Sequence, residues 1–160
     1  MNGDTTVNIF YIDKDPMLAA QSLMDVHVRK MVLESCQLLM THDTLNGLQR
    51  PYLPTHVMHP CRVSLRNINN YTWLCIYLGE LCNEFRYRFK HSHACEEHFR
   101  TFYSQPRVLT EEPCFPQCMP DEFMCNDTIE AYRAYYRAKQ FDFMLNGIAK
   151  YTNRNKPYWL

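Results

Sequence analysis

No glycine or proline interrupts the chain from Met17 to Met40, and many residues in this stretch favour helix. Asp15 can cap the first turn of such a helix with its side chain. Pro16 suits the first helical position, because the amide hydrogen that proline lacks has no partner there in any helix. The pattern therefore predicts a long helix over 17–40, with a break near Asp25 as an alternative.

Three further helices are predicted at about 68–90, at about 94–103, and from Asp127 or Thr128 to about 143. The long helices have no internal proline. Neither an internal repeat nor a linker interrupts the sequence, so we expect a single helical domain over residues 1–160.

The remaining stretches predict a short strand and two long connections. Residues 7–12 (Val-Asn-Ile-Phe-Tyr-Ile) are typical of a β-strand. Residues 46–62 contain one glycine and three prolines, and residues 105–121 contain four prolines, so both predict loops. The expected fold is mainly α, an irregular helical bundle with one short N-terminal β-strand and long Pro-rich loops.

The charge and the cysteine content limit which partners and which cellular location we expect for this protein. The 17 basic and 17 acidic residues give no net charge, so any binding of nucleic acid needs a local basic patch. The opening residues lack the pattern of a signal peptide, and no apolar run approaches the ~18 residues that span a bilayer. We therefore expect a cytoplasmic protein without membrane contact, whose eight cysteines stay reduced.

A polar stripe on the first long helix is the leading candidate for a working site. At about 100° per residue, His27, Lys30 and Glu34 lie on one face with Gln37 and Thr41. Apolar residues border this face on both sides, and a second polar face lies opposite. One polar face should meet solvent, and the other can line a pocket.

Two interpretations of this stripe stay open. It can be a solvated face in which Lys30 and Glu34 form an ordinary i,i+4 pair. It can also be catalytic. His27 would then move protons near neutral pH, Lys30 would hold a phosphate or act as an amine nucleophile, and Glu34 would orient either group or serve as a base.

A proline-bounded loop supplies further candidates. His56 and His59, in Pro54–Pro60 (PTHxxHP), can converge on one phosphate or one metal ion. Cys61 is adjacent, and other cysteines and histidines follow. Scattered, reduced side chains are the favoured interpretation, so no metal and no cofactor is predicted. Zinc stays an alternative for the group His91, His93, Cys95 and His98 or for the pair Cys114 and Cys118.

The later helices interleave cations with aromatic rings. Such mixtures suit stacking on bases with cations on phosphates, and they equally suit packing in a helical bundle. Asp121, in a rigid turn before the last helix, can pair with a nearby arginine. The predicted phosphate- and base-binding set is Arg88, Arg133, Tyr136, Lys139 and Asp121.

Six segments over nearly the whole chain resemble a family of small, largely uncharacterised proteins of tailed bacteriophages. They are Asp13–Ala20 (DxDPxxAA), Asp25–Leu39 (DxHVxKMxxExxQLL), Pro54–Pro60, Met119–Glu122 (MPDE), Tyr132–Tyr136 (YRxYY) and Arg154–Trp159 (RxxPxW). Some members are labelled pyrimidine-dimer DNA glycosylase. The phage glycosylase of that name uses its N-terminal amine with a nearby glutamate. Here Lys30 and Glu34 can supply the equivalent amine and carboxylate.

Three hypotheses follow. The first is an enzyme of the host cytoplasm that cleaves an N-glycosidic or phosphodiester bond in a nucleotide or in DNA, at a pocket of histidine, lysine, glutamate and arginine. The second is a non-catalytic anti-defence protein that sequesters a nucleotide signal. The third is a structural or interaction protein. A homo-oligomer that completes a site between chains stays open.

Overall fold

A computed structural model describes residues 7–102 and 108–160 of the chain. Helices account for 55% of it, and no β-strand occurs in these ranges, so the mainly α class is confirmed. In chain order the α-helices of the described residues are α1 (Pro16–Gln21), α2 (Asp25–Leu45), α3 (Pro60–Ser64), α4 (Ile68–Phe89), α5 (Glu96–Phe99) and α6 (Thr128–Leu145).

The break near Asp25 is present. The side chain of Asp15 accepts a hydrogen bond from the amide of Met17 and caps α1, with Pro16 in the first turn. Met24 then adopts an extended conformation that separates α1 from α2. The amide of Asp25 donates to the carbonyl of Lys150, so a distant segment satisfies the start of α2. α2 continues to Leu45, beyond the predicted end.

The other long helices begin where the sequence predicts. Asn67 caps α4, and Asp127 caps α6 by accepting hydrogen bonds from the amides of Ile129 and Glu130. Lys90, with φ of 63°, ends α4 in the left-handed conformation. The helix predicted at 94–103 is shorter: α5 covers Glu96–Phe99, a 3₁₀ turn follows at Arg100–Phe102, and residue 103 lies outside the described part. Cys95 gives α5 no side-chain cap.

The prediction of a strand at residues 7–12 is wrong. This segment has no partner strand among the described residues. Some of its hydrogen bonds join it to distant segments, since the Asn8 side chain donates to the Cys118 carbonyl and Arg133 donates to the Ile12 carbonyl, and others are local. The side chain of Asn8 accepts from the amide of Phe10, and the carbonyl of Phe10 accepts from the amide of Ile12. Phe10 has φ of 54°, a conformation incompatible with a regular strand.

The hydrophobic core lies where α4 packs against both α1 and α2. Trp73 and Tyr77 of α4 are fully buried and stack with ring centroids 4.7 Å apart. The Trp73 indole donates to the carbonyl of Lys14, which joins α4 to the segment before α1. Residues 7–12 are buried, and Phe10 and Tyr11 contact His27 of α2 and Trp73 of α4, so helices rather than a partner strand cover this β-prone segment.

Gly79 of α4 lies directly against the Phe99 ring of α5. A Cβ atom built at Gly79 would lie 2.7 Å from the Phe99 ring. That distance is too short for any ordinary carbon contact, so the absence of a side chain at position 79 lets Phe99 lie against the α4 backbone.

In the described residues, no helix is long and apolar enough to cross a membrane. Residues 1–6 and 103–107 lie outside the described structure. The sequence prediction for the first part of the connection 105–121 falls on the second of these ranges. From 108 to 120 the connection has no α-helix, in agreement with its proline content.

Candidate functional site

The polar stripe of α2 and the histidine loop lie side by side. Thr41 on α2 joins them through two hydrogen bonds, since its hydroxyl accepts from the amide of Thr55 at 3.0 Å and donates to the Thr55 carbonyl at 3.1 Å. The next residue, His56, is exposed and has φ of 52°. The loop is thus fixed to α2 at Thr41, which is the C-terminal end of the stripe.

Glu34 supplies the carboxylate of this stripe, and its side chain is largely buried. Its Oε1 lies 3.5 Å from the Lys30 Nζ, and 14% of its side chain is exposed, against 34% for Lys30. Its other oxygen, Oε2, is buried and accepts no hydrogen bond of normal geometry from the described residues, although the Asn8 amide lies near enough to the carboxylate to lower its pKa. Burial raises the pKa of Glu34, while the charge of Lys30, the amide of Asn8 and the charge of His56 lower it less. A group of this kind can hold or release a proton nearer neutral pH than an exposed glutamate does.

His27 lies on the same helix but is sealed from solvent. Its Nδ1 lies 2.7 Å from the Tyr136 hydroxyl, which also accepts from the amide of Met24. The rings of Phe10 and Phe143 cover it. Burial, with a smaller effect from the charge of Lys30, lowers the pKa of His27 to about 3. His27 is therefore neutral at physiological pH and orders the surrounding aromatic rings.

This burial predicts a pH dependence of stability. The folded state holds His27 neutral down to about pH 3, whereas the unfolded chain binds its proton below the ordinary value of 6.5. His27 should therefore reduce the free energy of unfolding by up to about 1.4 kcal/mol per pH unit as pH falls below 6.5. Urea unfolding of the wild type and His27→Gln between pH 7 and 5 measures this difference. Equal slopes in the two proteins would contradict it.

His59, Cys61 and Cys118 converge beside the stripe. Their candidate ligand atoms lie within 4.8 Å of one another. The Cys61 thiol donates a hydrogen bond to the Cys118 sulfur at 3.4 Å, which raises the pKa of Cys61 and lowers that of Cys118. The His59 Nδ1 accepts from the amide of Cys61 and caps α3. Burial lowers the pKa of His59, with a smaller contribution from His56.

Arg88 lies in a separate, buried ion network. Its guanidinium contacts the carboxylates of Glu84 at 2.6 Å and Asp25 at 3.0 Å, and it also donates to the carbonyls of Leu23 and Gln21. Its side chain has no exposed surface. Arg154 binds the same Glu84 with two hydrogen bonds of 2.9 Å. These partners use the hydrogen-bond donors of the Arg88 guanidinium. Arg88 therefore joins α1, α2 and α4, which makes it a poor candidate for binding a phosphate.

The other members of the predicted binding set are distributed along α6 and the turn before it. Arg133 donates to the carbonyl of Ile12 and pairs with Asp13 at 3.3 Å, so it fixes the segment before α1. Lys139 lies 4.8 Å from the Tyr135 ring centroid, and burial lowers its pKa. Asp121 is exposed at the start of a 3₁₀ turn. Lys139 thus lies near Phe10, one of the rings that cover His27, whereas Asp121 lies at the surface.

The other cysteine and histidine candidates do not assemble into a metal-binding group in the described residues. The His93 Nδ1 accepts from the amide of Cys95, and the Cys95 sulfur lies 3.2 Å from the Tyr52 hydroxyl. The His91 and His93 rings pack against Phe85. Cys114 is exposed. The structure therefore pairs Cys118 with Cys61 and His59, a combination of three residues that the spacing within either sequence cluster does not indicate.

No match to this chain was found among family models, curated proteins or solved structures. The interpretation of the site therefore depends on its own geometry. A cleft of about 230 Å³ lies elsewhere, between α1 and α4, where Glu80, Glu84 and Arg154 contribute to its wall. None of the predicted catalytic residues lines that cleft.

Asn8 contributes to the site, and the sequence did not identify it as a candidate. The backbone amide of Asn8 lowers the pKa of the Glu34 carboxyl group. The Asn8 side chain donates a hydrogen bond to the Cys118 carbonyl at 2.8 Å. It thereby connects the stripe to the cysteine pair. The single polar residue within the apolar run 7–12 is the signal that could have identified it.

Proposed function

We propose that this chain is a bacteriophage accessory enzyme that acts on nucleotides or DNA. It cleaves an N-glycosidic bond of its substrate, with Glu34 as the proton donor. The observation that carries the proposal is the buried, unpartnered Oε2 of Glu34 beside the partly exposed ammonium of Lys30. A buried polar atom without a partner costs stability, and a proton or a substrate group can satisfy it, so this carboxylate oxygen beside a cation supports a functional role.

The chemistry of an N-glycosidic bond matches this pair. The bond breaks more easily when the leaving base receives a proton, and the raised pKa of Glu34 lets its carboxyl group hold one. Once ionised, the carboxylate stabilises the positive charge that develops on the sugar. Solvent water then adds to the anomeric carbon and releases one proton to solvent, so the products are the free base and a sugar with a hydroxyl at that carbon. Lys30 binds the neighbouring phosphate as a cation, since a third of its side chain remains accessible.

Resemblance to the phage family that includes proteins labelled pyrimidine-dimer DNA glycosylase supports the same reaction class. His56 supports it because its charge, on the exposed loop, acts on the Glu34 carboxylate and lowers the pKa of that group. His27 serves the site indirectly, by fixing the ring of Tyr136 and the helix that carries Lys30.

The test is a substrate panel of nucleotides, cyclic oligonucleotides and ultraviolet-irradiated duplex DNA, with products separated by chromatography. A released free base supports the proposal. Release of nucleotides by phosphodiester cleavage would overturn the bond assignment. Thermal stabilisation by an unchanged nucleotide would indicate sequestration instead. No turnover and no stabilisation with any member of the panel would exclude both.

Lys30→Ala should raise KM for the processed substrate by about 10–100-fold, because it removes one charge-assisted contact to phosphate. Arg29→Ala is the matched control. It removes a neighbouring exposed cation whose guanidinium stacks 4.1 Å from the Phe89 ring centroid. An equal change in both variants would show that general charge, rather than the position of Lys30, determines binding.

A further inference from the structure

The group formed by His59, Cys61 and Cys118 has the composition of a metal site. It offers one imidazole and two sulfurs, all within 4.8 Å of one another. Zinc in proteins takes nitrogen at about 2.0–2.1 Å and sulfur at about 2.3 Å in tetrahedral geometry. Ligand atoms around such an ion lie about 3.5–3.8 Å apart. The two sulfurs, at 3.4 Å, already lie close to that separation.

The backbone around these residues is fixed by its own contacts. Cys61 is fully buried near the start of α3, a position set by Pro60 and by the cap that His59 provides. The amide of Cys118 donates to the Tyr132 hydroxyl, and its carbonyl accepts from the side chain of Asn8. The ligands thus come from two connections far apart in sequence that are already aligned.

We propose that His59, Cys61 and Cys118 bind one Zn²⁺ ion, with water completing the tetrahedron. This site lies beside the pair of Lys30 and Glu34 but shares no residue with it, and it does not depend on the proposed enzymatic activity. The ion would join the histidine loop to the proline-rich connection that precedes α6.

The proton balance of binding is simple. Each cysteine thiol releases one proton to solvent and binds as a thiolate, so two protons leave for each ion bound. The metal replaces the hydrogen that Cys61 shares with Cys118. The imidazole binds in its neutral form, which has a single free lone pair. Zinc therefore takes the lone pair that caps the Cys61 amide in the metal-free protein, and that amide gives up this hydrogen bond when the ion binds.

The first experiment measures metal content. The full chain is expressed in zinc-supplemented medium, purified without chelator and analysed by elemental mass spectrometry. One zinc per chain is expected in the wild type. After chelation, titration with Zn²⁺ should raise the melting temperature, and Co²⁺ should give a thiolate-to-metal charge-transfer band together with the visible spectrum of a tetrahedral site.

The variants separate the ligands from their neighbours. Cys118→Ser should lose the zinc and the charge-transfer band. His59→Asn should weaken binding while keeping the helix cap, because asparagine is also a good capping residue. Cys125→Ser, at an exposed cysteine, is the control and should keep one zinc per chain.

The metal titrations of chelator-treated wild-type protein test the site even if a variant fails to fold. Absence of both a melting shift and a cobalt spectrum would overturn the site. So would zinc binding that survives in folded Cys118→Ser protein, or formation of a disulfide between Cys61 and Cys118 in protein that binds no metal.

Discussion

Replacing Arg88 by alanine is expected to lower the free energy of unfolding by about 3–5 kcal/mol. The Arg88 side chain is fully buried, and it holds two buried carboxylates and two backbone carbonyls together. Truncation leaves Glu84 with Arg154 alone and Asp25 with Thr152 alone. Arg88→Lys should also be strongly destabilising, since an ammonium cannot reproduce the directed hydrogen bonds of a guanidinium.

Urea unfolding at neutral pH measures this loss. Arg86→Ala is the matched control on the same helix, because Arg86 pairs with Glu96 at the surface and 54% of its side chain is exposed. Exposed pairs contribute about 0–1 kcal/mol, so the control should change stability little. A loss below 1 kcal/mol for Arg88→Ala would show that the carboxylates find other partners when the guanidinium is removed.

Glu34→Gln is expected to reduce the rate of base release by about 10²–10⁴-fold, the contribution typical of a positioned acid or base. The amide has nearly the shape of the carboxyl group but cannot transfer the proton. In the wild type, the rate should fall as pH rises above the raised pKa of Glu34, because the protonated form is lost. Single-turnover kinetics across pH measures both effects.

Stability provides the second measurement for this variant. Glu34→Gln removes a buried charge whose Oε2 has no partner, so the variant should be at least as stable as the wild type. Glu97→Gln, at an exposed position, is the control and should retain full activity. A stable Glu34→Gln variant with wild-type activity would remove Glu34 from the mechanism.

The long helices could be predicted because their signals are local. Asp15 and Asp127 cap the helices that the sequence assigned to them, through hydrogen bonds to amides two or three residues away. The strand at 7–12 was predicted wrongly because strand formation requires a partner elsewhere in the chain. Phe10, in a left-handed conformation and packed on His27, shows that tertiary packing overrode the local preference.

The candidate site was predictable in part for the same reason. Helical spacing placed Lys30 and Glu34 on one face and 3.5 Å apart. It did not reveal that His27 is covered by Tyr136 from α6, more than 100 residues away. Nor could spacing pair Cys118 with Cys61, since the two cysteines come from different connections. These features depend on how the segments pack rather than on periodicity.

The contact between Gly79 and Phe99 has a consequence for how this sequence can vary. A methyl group at position 79 would overlap the Phe99 ring, so alanine there requires a smaller or displaced side chain at 99. The two positions should therefore change together among related sequences. A paired substitution, glycine to alanine with phenylalanine to leucine, would be accepted more readily in evolution than the alanine change alone.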